Sequence, residues 1–416
     1  MKTQFLISAP ASGSGKTTVA RGLMALFAQK GYRVQPYKCG PDYIDTQFHL
    51  LACGTPSVNL DTLMAPRQYV KDMYAHYAEQ AQVCVVEGMM GLYDGYDRDK
   101  GSTAEIARTL SLPVLMVVNA RSAAYSMAPL LYGFIHFRDD VNVAGVIFNQ
   151  TGSERHQQML RQVCQDLGIA CYGCLPKMDA IQQPSRYLGL DFSAPGRLDS
   201  LVPLIEKHID WQRLLHDMEI ADPVASRPLP APPHRRVWVA RNEESFSFLY
   251  QEQINLLGDD ITFFNPEEDI EIPPGIDLLY LPGGYPEKHL DALTAAEKTR
   301  RSVKRFAEQG GHVVAECGGM MYLCDKIVAD DGEYPLCGVL PYTITARTAD
   351  RKLSLGYRRF VLDGREYRGH EFHYTQFLGS VPSSATQVYD AVGRPVPTPV
   401  FRYKNVLASY THLYQI

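Results

Sequence analysis

Several features that would place a chain in a special class of protein are missing from this sequence. Its 416 residues contain no apolar run of membrane-spanning length and no long basic run, and the formal net charge is −5. These absences exclude a membrane-spanning protein and argue against a nucleic-acid-binding one. The first ten residues hold too short an apolar stretch for a signal peptide. We therefore expect a cytoplasmic protein with neither a membrane nor a nucleic-acid partner.

Cysteine usage agrees with this expectation. The nine cysteines are scattered along the chain, so reduced thiols are expected rather than a disulfide framework. Cys171 and Cys174 form one CxxC motif, and no second pair accompanies it. A lone CxxC beside strand-forming residues favours a structural role over a metal site.

The length of the chain predicts two domains. The composition changes at residues 223–236, which hold five prolines and predict an extended linker. On both sides of it, strand-length apolar runs alternate with loops and helix-patterned segments. The sequence therefore predicts an α/β protein with two doubly wound domains, residues 1–222 and 237–416.

One stretch near the N-terminus carries a strong chemical signal. Residues 4–8 predict a strand, and apolar residues recur at helix-face spacing after Thr17. Between them lies a Gly-rich turn ending in Lys-Thr, the context in which a P-loop binds phosphates and Mg²⁺. Pro10 departs from the pattern, which has glycine there, so a turn that binds nothing is the alternative. The predicted nucleotide-binding residues are Gly13, Ser14, Gly15, Lys16, Thr17 and Thr18.

Four carboxylates follow predicted strands of the same half. Asp42 and Asp45 lie in a loop after the strand at 33–37, Glu87 ends the next apolar strand, and Asp94 follows it closely. The carboxyl ends of parallel strands meet at the ligand-binding edge of a doubly wound sheet. Each carboxylate alone is typical of a turn or a cap, but their joint placement beside a P-loop favours Mg²⁺ ligation or catalysis.

Two further predicted strands, 113–118 and 143–148, end at Asn119 and Asn149. An asparagine at this position either contacts the edge of a nucleobase or caps the following turn. We assign Asn149 to nucleotide binding and keep the turn cap as the alternative for both residues.

The second half of the chain predicts a nucleophile. Its predicted strands are 237–240, 261–264, 277–281 and 312–316. The last strand runs into Cys317 and two glycines, and small neighbours are what a nucleophile on a sharp strand-to-helix turn requires. The N-terminus of the following helix is expected to lower the pKa of the Cys317 thiol. The neighbouring turn, Gly283-Gly284, is a candidate oxyanion hole.

A thiol nucleophile needs a base, and His412 lies in the strand-like run 406–414. Cys317 and His412 together predict an acyl-transfer dyad. The alternative is a buried cysteine and a strand-end histidine without chemistry. Between them, residues 347–368 hold seven basic residues against three acids, which either bind substrate carboxylates or form a solvated edge. Glu371 and His373 beside this stretch either contact substrate or pack structurally.

Seven motifs identify a family. They are, in order, ISAPASGSGKTTVARGL, YKCGPDYIDTQFH, VVEGMMGLYDG, YLPGGYPEKHL, AECGGMMYL, GHEFHY and SYTHL. Over nearly the whole chain they resemble the cobyrinate a,c-diamide synthases, ATP-dependent amidases of cobalamin biosynthesis. The resemblance implies a P-loop NTPase-like N-terminal domain similar to dethiobiotin synthetase. It also implies a flavodoxin-like C-terminal domain that is a class I-like glutamine amidotransferase.

The resemblance further implies the reaction: ATP- and glutamine-dependent amidation of the a and c carboxylates of cobyrinate through an acyl phosphate. Mg²⁺ is the implied cofactor, and a tetrapyrrole polycarboxylate and glutamine are the implied partners. The implied roles are Mg²⁺ ligation by Thr17, Asp42 and Glu87, synthetase catalysis by Asp45 and Asp94, and glutamine hydrolysis by Cys317 and His412.

Two positions depart from the family pattern. Tyr414 stands where class I enzymes usually carry glutamate, so we assign a dyad without a third member. Tyr187 stands where relatives often carry histidine, and it receives no role.

Three alternatives stay open at this point. Hydrogenobyrinate or nickel sirohydrochlorin could replace cobyrinate, and the chain could be a non-amidating P-loop ATPase with a binding module. Residues 9–12 lack the extra lysine of partition ATPases, which disfavours that last reading. The sequence leaves homodimer formation open.

Overall fold

The structure is a computed structural model that describes residues 1–177, 197–380 and 383–414. Tyr187 lies outside the described residues. The chain divides into two compact units, residues 1–229 and 230–416, and the division falls inside the proline-rich segment 223–236. Among the described residues, no helix is long and apolar enough to cross a membrane. All nine cysteines lie in the described ranges, and their thiols are free.

The first unit is a sheet with helices. Its strands are β1 (Lys2–Ser8), β2 (Val34–Cys39), β3 (Val58–Leu60), β4 (Val83–Glu87), β5 (Val114–Asn119), β6 (Val143–Thr151), β7 (Ala170–Pro176) and β8 (Glu219–Ile220). Its helices are α1 (Lys16–Gln29), α2 (Asp45–Cys53), α3 (Arg67–Ala78), α4 (Thr103–Leu110), α5 (Met127–His136), α6 (Glu154–Leu167), α7 (Arg197–His208) and α8 (Trp211–Asp217).

The order of the described strands places the P-loop at the centre of this sheet. The order is β3-β2-β4-β1-β5-β6-β7, all parallel, with β8 antiparallel to β1. Because β1 lies between β4 and β5, the chain leaves β1 at the point where the strand order changes direction, which is where such sheets bind ligands. Helix α1 packs its predicted apolar face on the sheet: Val19, Leu23, Leu26 and Phe27 are buried. The doubly wound α/β prediction is confirmed for this unit.

The second unit is richer in strands. They are β9 (Arg236–Ala240), β10 (Asp260–Phe264), β11 (Leu278–Leu281), β12 (Val313–Glu316), β13 (Cys324–Val328), β14 (Glu333–Pro335), β15 (Leu340–Thr345), β16 (Ser354–Leu362), β17 (Arg365–His373), β18 (Gln376–Phe377), β19 (Val388–Tyr389), β20 (Pro395–Val396), β21 (Val400–Tyr403), β22 (Val406–Ser409) and β23 (His412–Tyr414). Its helices are α9 (Gln251–Leu257), α10 (Leu290–Ala295), α11 (Glu297–Glu308) and α12 (Gly318–Leu323), with 3₁₀ turns at Pro286–Lys288 and Thr348–Asp350.

The main sheet of this unit has the order β10-β9-β11-β12-β22-β21, parallel except for β21. Helix α12 follows β12 directly, so the predicted strand-to-helix turn at Cys317 is present. Two smaller sheets, β14-β13-β15-β18 and β20-β19-β16-β17-β23, complete the described part of the unit.

The prediction of one strand over residues 406–414 is wrong. The run breaks into β22, which pairs with β12 in the main sheet, and β23, which pairs with β17 in another sheet. A turn causes the break, since the Ser409 hydroxyl accepts a hydrogen bond from the Thr411 N–H at 3.1 Å. The break carries His412 out of the main sheet and into the sheet that contains β17.

Candidate active sites

The P-loop is held by the residues around it. Gly15 has φ +101°, a left-handed conformation that favours glycine. A Cβ at Gly15 would lie 2.2 Å from Nδ2 of Asn149, and that amide donates to the Ser14 carbonyl at 2.9 Å. The structure thus places Asn149 against the loop backbone, while Asn119 caps a turn by accepting from the Arg121 N–H at 2.9 Å.

The remaining predicted loop residues differ in exposure. Gly13 has open space around it, and the buried Ser14 donates its hydroxyl to the Ala11 carbonyl at 2.8 Å. Thr18 is half-buried in the first turn of α1. Pro10, the departure from the P-loop pattern, lies with its carbonyl 2.7 Å from the position of a Cβ at Gly91. The loop after β4 therefore packs directly on the P-loop.

Lys16 and Thr17 begin α1 and contact the β4 end of the sheet. The Lys16 ammonium donates to the Met90 carbonyl, and the Thr17 hydroxyl donates to Oε1 of Glu87 at 2.6 Å. Burial, with the nearby positive charge of Lys38, lowers the pKa of Lys16 to about 8. Three of the sequence-predicted residues, Lys16, Thr17 and Glu87, thus lie together.

Lys38, on β2, is the buried centre of this cluster. Its Nζ lies 2.7 Å from Asp45, 3.2 Å from Glu87 and 3.8 Å from Asp42. Burial alone would lower the pKa of Lys38, but these carboxylates raise it well above its usual value. A buried ammonium group stays charged when carboxylates surround it in this way. Asp45 is therefore engaged with Lys38 rather than facing solvent.

His49 completes the cluster from α2. It is fully buried, with Nε2 2.7 Å from Glu87 and Nδ1 2.9 Å from the Ser57 hydroxyl. Burial and Asp45 favour a neutral Glu87, yet Lys38 and His49 outweigh them and lower the pKa of Glu87. Sequence reasoning gave no role to Lys38 or His49. The spacing of Asp45 and His49, four residues apart and hence on one helix face, was the available signal.

The other two predicted carboxylates lie at the margin. Asp42 accepts the Ile44 and Asp45 N–H groups, both at 2.9 Å, with one oxygen, which is the geometry of a turn before a helix. Asp94 is exposed and accepts the Gly91 N–H at 2.9 Å. The charge of Asp94 raises the pKa of Lys16, so the Asp94 carboxylate lies near the P-loop lysine.

In the second unit, Cys317 has the backbone of a nucleophile turn. Its φ of +46° with ψ −106° is a strained conformation for a residue with a Cβ. The Cys317 N–H donates to the Ser409 carbonyl at 2.8 Å, which ties the turn to β22. The side chain is buried, and Sγ lies 3.8 Å from the Phe372 carbonyl.

The turn at Gly283 brings the two predicted catalytic residues together. A Cβ at Gly283 would lie 2.1 Å from Cε1 of His412 and 3.2 Å from Cβ of Cys317. The N atom of Gly284 lies 3.1 Å from the Cβ position of Gly318. The glycine turn and the cysteine turn are thus in contact, as an oxyanion hole from Gly283-Gly284 would require.

The expectation of a lowered thiol pKa is wrong for this structure. Burial raises the pKa of Cys317 well above its usual value, and the carboxylates of Glu287, Glu371 and Glu316 add to the effect. Helix α12 spans only Gly318–Leu323, and its N-terminus does not offset the loss of hydration.

His412 is fully buried, and its Cα pairs with that of His370 across β17 and β23. Burial, with the nearby His370 and His373, lowers the pKa of His412 to about 3. The ring is neutral at physiological pH, which is the protonation state that a base requires, but its low pKa makes it a weak base toward the Cys317 thiol. Tyr414, two residues on, packs its ring on Tyr250 with centroids 5.4 Å apart.

Glu371 is the centre of a polar network on β17. It accepts hydrogen bonds from Arg358 at 2.6 Å and Thr398 at 2.6 Å, and it lies 2.8 Å from Nε2 of His373. These contacts lower the pKa of Glu371 to about 2, although burial alone would raise it. Arg358 is buried in this ion pair, whereas the other six basic residues of 347–368 are exposed.

Comparison with known proteins matches one family model to each part of the chain. Residues 5–189 match the model of a CobQ/CobB/MinD/ParA nucleotide binding domain, and residues 237–415 match that of a CobB/CobQ-like glutamine amidotransferase domain. A cobyrinate a,c-diamide synthase from Dehalococcoides mccartyi is 36% identical, over 99% of this chain and 95% of the relative. A hydrogenobyrinate a,c-diamide synthase from Pseudomonas aeruginosa is 38% identical, over 99% of this chain and 94% of the relative. The chain therefore belongs to the family of cobyrinate and hydrogenobyrinate a,c-diamide synthases, glutamine amidotransferase-type ligases that carry a nucleotide-binding domain.

Proposed function

We propose that this enzyme amidates the a and c side-chain carboxylates of cobyrinate, with ATP as the source of activation and glutamine as the source of nitrogen. One observation carries the proposal: a chain similar over its whole length to such synthases has both a P-loop with Lys16 and Thr17 beside Glu87 and a Cys317 turn beside His412. Neither site alone would make an amide from a carboxylate with glutamine as the source of nitrogen.

The first unit supplies activation. A carboxylate resists ammonia because of its charge and poor leaving group, so a substrate oxygen attacks the γ-phosphorus of ATP, releasing ADP and forming an acyl phosphate. Lys16 would leave the Met90 carbonyl to hold the β and γ oxygens. Lys38, kept charged by Asp45, adds a second cation near them, and Asp94 at the rim is the carboxylate we assign to catalysis with Asp45.

We also propose Mg²⁺ as the cofactor. The Thr17 hydroxyl and a Glu87 oxygen lie 2.6 Å apart, and such hard oxygen donors are those that Mg²⁺ prefers. Asp42 is the third predicted ligand. Among the described residues no cluster of three His, Cys, Asp or Glu side chains forms a metal site on its own. Mg²⁺ bound there would neutralise the oxygens of the transferred phosphoryl group.

The second unit supplies ammonia. His412 takes the proton of Cys317, Sγ attacks the side-chain amide carbon of glutamine, and ammonia leaves as the thioester forms. Water then hydrolyses the thioester to glutamate. Ammonia attacks the acyl phosphate carbon and displaces phosphate, which completes one amide, and the cycle runs twice per substrate molecule.

The identity of the tetrapyrrole is the finer question. Relatives named for cobyrinate and for hydrogenobyrinate are 36% and 38% identical to this chain, so hydrogenobyrinate is the second candidate. The two substrates differ in the metal, not in the carboxylates that react.

The test is an assay of ADP release, glutamine hydrolysis and diamide formation with each tetrapyrrole, using the wild type and Cys317→Ala. We expect a diamide from cobyrinate in the wild type, and in the variant only when ammonia replaces glutamine. Product from hydrogenobyrinate alone would keep the reaction and change the substrate. ATP turnover that responds to neither carboxylate nor glutamine would overturn the proposal.

A further inference from the structure

A 3₁₀ turn lies over the cysteine and carries a carboxylate that the mechanism above does not use. The turn Pro286–Lys288 follows Gly283, which lies against both His412 and Cys317. Pro286 is in contact with the nucleophile turn, since its Cδ lies 2.8 Å from the Cβ position of Gly318. Glu287 is the next residue and is half-buried. Glu287 is therefore carried on a turn that packs against the glutaminase centre.

This carboxylate has no counter-ion among the described residues. In the part of the chain that the structure describes, no Lys, Arg or His nitrogen lies within 4.0 Å of Glu287. The adjacent Lys288 pairs with Glu244 instead and lies over the ring of Tyr285, 4.5 Å from its centroid. Arg351, the other cation that acts on Glu287, is exposed. A half-buried anion without a partner is costly unless a ligand supplies a cation.

The charge of Glu287 also works against the reaction. After burial, it is the largest influence that raises the pKa of Cys317, because a neighbouring anion disfavours a thiolate. Burial in turn raises the pKa of Glu287 to about 7. A cation placed on Glu287 would relieve both effects. Free glutamine carries one such cation, its α-ammonium group.

We propose that Glu287, on the turn that packs against the nucleophile turn, binds the α-ammonium group of glutamine. The proposal rests on the glutamine hydrolysis proposed above and names the residue that recognises the amino acid. The ion pair neutralises the carboxylate only when glutamine is present. Cys317 then becomes a nucleophile in the complex and stays a protected thiol without it.

The test compares glutamine with glutaramate (5-amino-5-oxopentanoate), which has the same amide and carboxylate but no amino group. A charged hydrogen bond of this kind is worth on the order of 10²-fold in binding. We expect the wild type to prefer glutamine over glutaramate by about that factor in kcat/KM. Glu287→Gln should lose this preference because its kcat/KM for glutamine falls, while its kcat/KM for glutaramate stays at least as high as that of the wild type.

Glu243→Gln is the matched control, because Glu243 is an exposed carboxylate of the second unit to which no role is assigned, and it should leave the preference unchanged. A second readout is the pH dependence of Cys317 alkylation by iodoacetamide, with Cys317→Ser as background. In Glu287→Gln the alkylation profile should move to lower pH.

The outcomes separate this proposal from the one it rests on. Glu287→Gln that keeps the wild-type preference for glutamine would overturn the proposal, and so would an equal loss of both substrates, which marks a structural role. A wild type that hydrolyses neither amide would instead overturn glutamine hydrolysis itself.

Discussion

The contact at Gly283 makes a sharp test of the glutaminase centre. In Gly283→Ala the added methyl group would lie 2.1 Å from Cε1 of His412 and 3.2 Å from Cβ of Cys317. The φ angle of Gly283 is not in the left-handed region, so the backbone itself accepts alanine. The substitution therefore acts on the two catalytic side chains and not on the turn.

The size of the effect follows from the clash. The histidine ring or the turn must give way by about 1.4 Å to reach ordinary van der Waals distance. His412 is fully buried beside Phe248, with ring centroids 5.7 Å apart, so it has little room to retreat. A misplacement of about 1 Å in a catalytic group costs about 10²-fold in rate, or about 2.7 kcal/mol of transition-state stabilisation.

The assay measures glutamine hydrolysis and ammonia-supported ADP release on the same preparation. We expect Gly283→Ala to lose about 10²-fold in the first and to keep the second, since the P-loop belongs to the other unit. Gly332→Ala is the control within the same unit: the nearest atom to its Cβ position is a Tyr334 ring carbon at 3.6 Å, an ordinary contact.

Hydrolysis by Gly283→Ala within threefold of the wild type would refute the reasoning, because the ring would then move without cost or play no part in catalysis. Loss of both activities would point to general unfolding, which the thermal unfolding of the two variants distinguishes. If Gly332→Ala lost as much glutamine hydrolysis as Gly283→Ala, the effect could not be attributed to the short contact with His412.

Three further predictions concern charge. Because the pKa of Lys16 is about 8, the ammonium loses its charge above pH 8, and ATP affinity should fall there by up to about tenfold per pH unit. In Lys16→Arg the side chain stays charged, so a nucleotide titration should show a weaker dependence of affinity on pH. His49→Leu should raise the Mg²⁺ concentration for half-maximal ADP release by about 10- to 100-fold. Glutamine hydrolysis should be unchanged in the same variant. An unaltered Mg²⁺ requirement would show that His49 does not orient Glu87 for the ion. The folded pKa of Glu371 lies below its unfolded value, from 4.5 to about 2, so its stabilisation is present above pH 4.5 and is lost as the pH falls toward 2. Urea unfolding should show that the free energy of unfolding falls by about 2 kcal/mol between pH 6 and pH 3 in the wild type through this group, and by less in Glu371→Gln.

The sequence predicted the elements better than their arrangement. The strand before the P-loop, the helix after it and the strand before Cys317 are confirmed, because glycine turns and buried apolar runs are local signals. The prediction of one strand over 406–414 was wrong, because the strand-like sequence pattern continues through the turn. Only the pairing of the two halves with different strands shows that the run is broken. The hairpin of β16 and β17 carries a basic stretch whose pattern did not show that Arg358 is buried against Glu371.

The pKa expectation for Cys317 failed for a related reason. A helix N-terminus can be read from the sequence, but the depth of burial and the carboxylates that approach from elsewhere in the chain cannot. Glu287 and Glu371 both raise the pKa of Cys317, although Glu287 lies 30 residues before it in the sequence and Glu371 lies 54 residues after it.

Residues close together in the chain determined the family, the P-loop, the nucleophile turn and the two-part α/β design, since each depends on a few consecutive side chains and their turn chemistry. The tertiary structure alone decided which charges meet. It placed Lys38 and His49 on Glu87 and carried His412 to Gly283 through a break between two sheets. It also placed Glu287, which has no counter-ion within the described ranges, on the turn that packs against the Cys317 turn. Electrostatic contacts act through space and grow as water is excluded, so they follow from burial and distance and not from order along the chain.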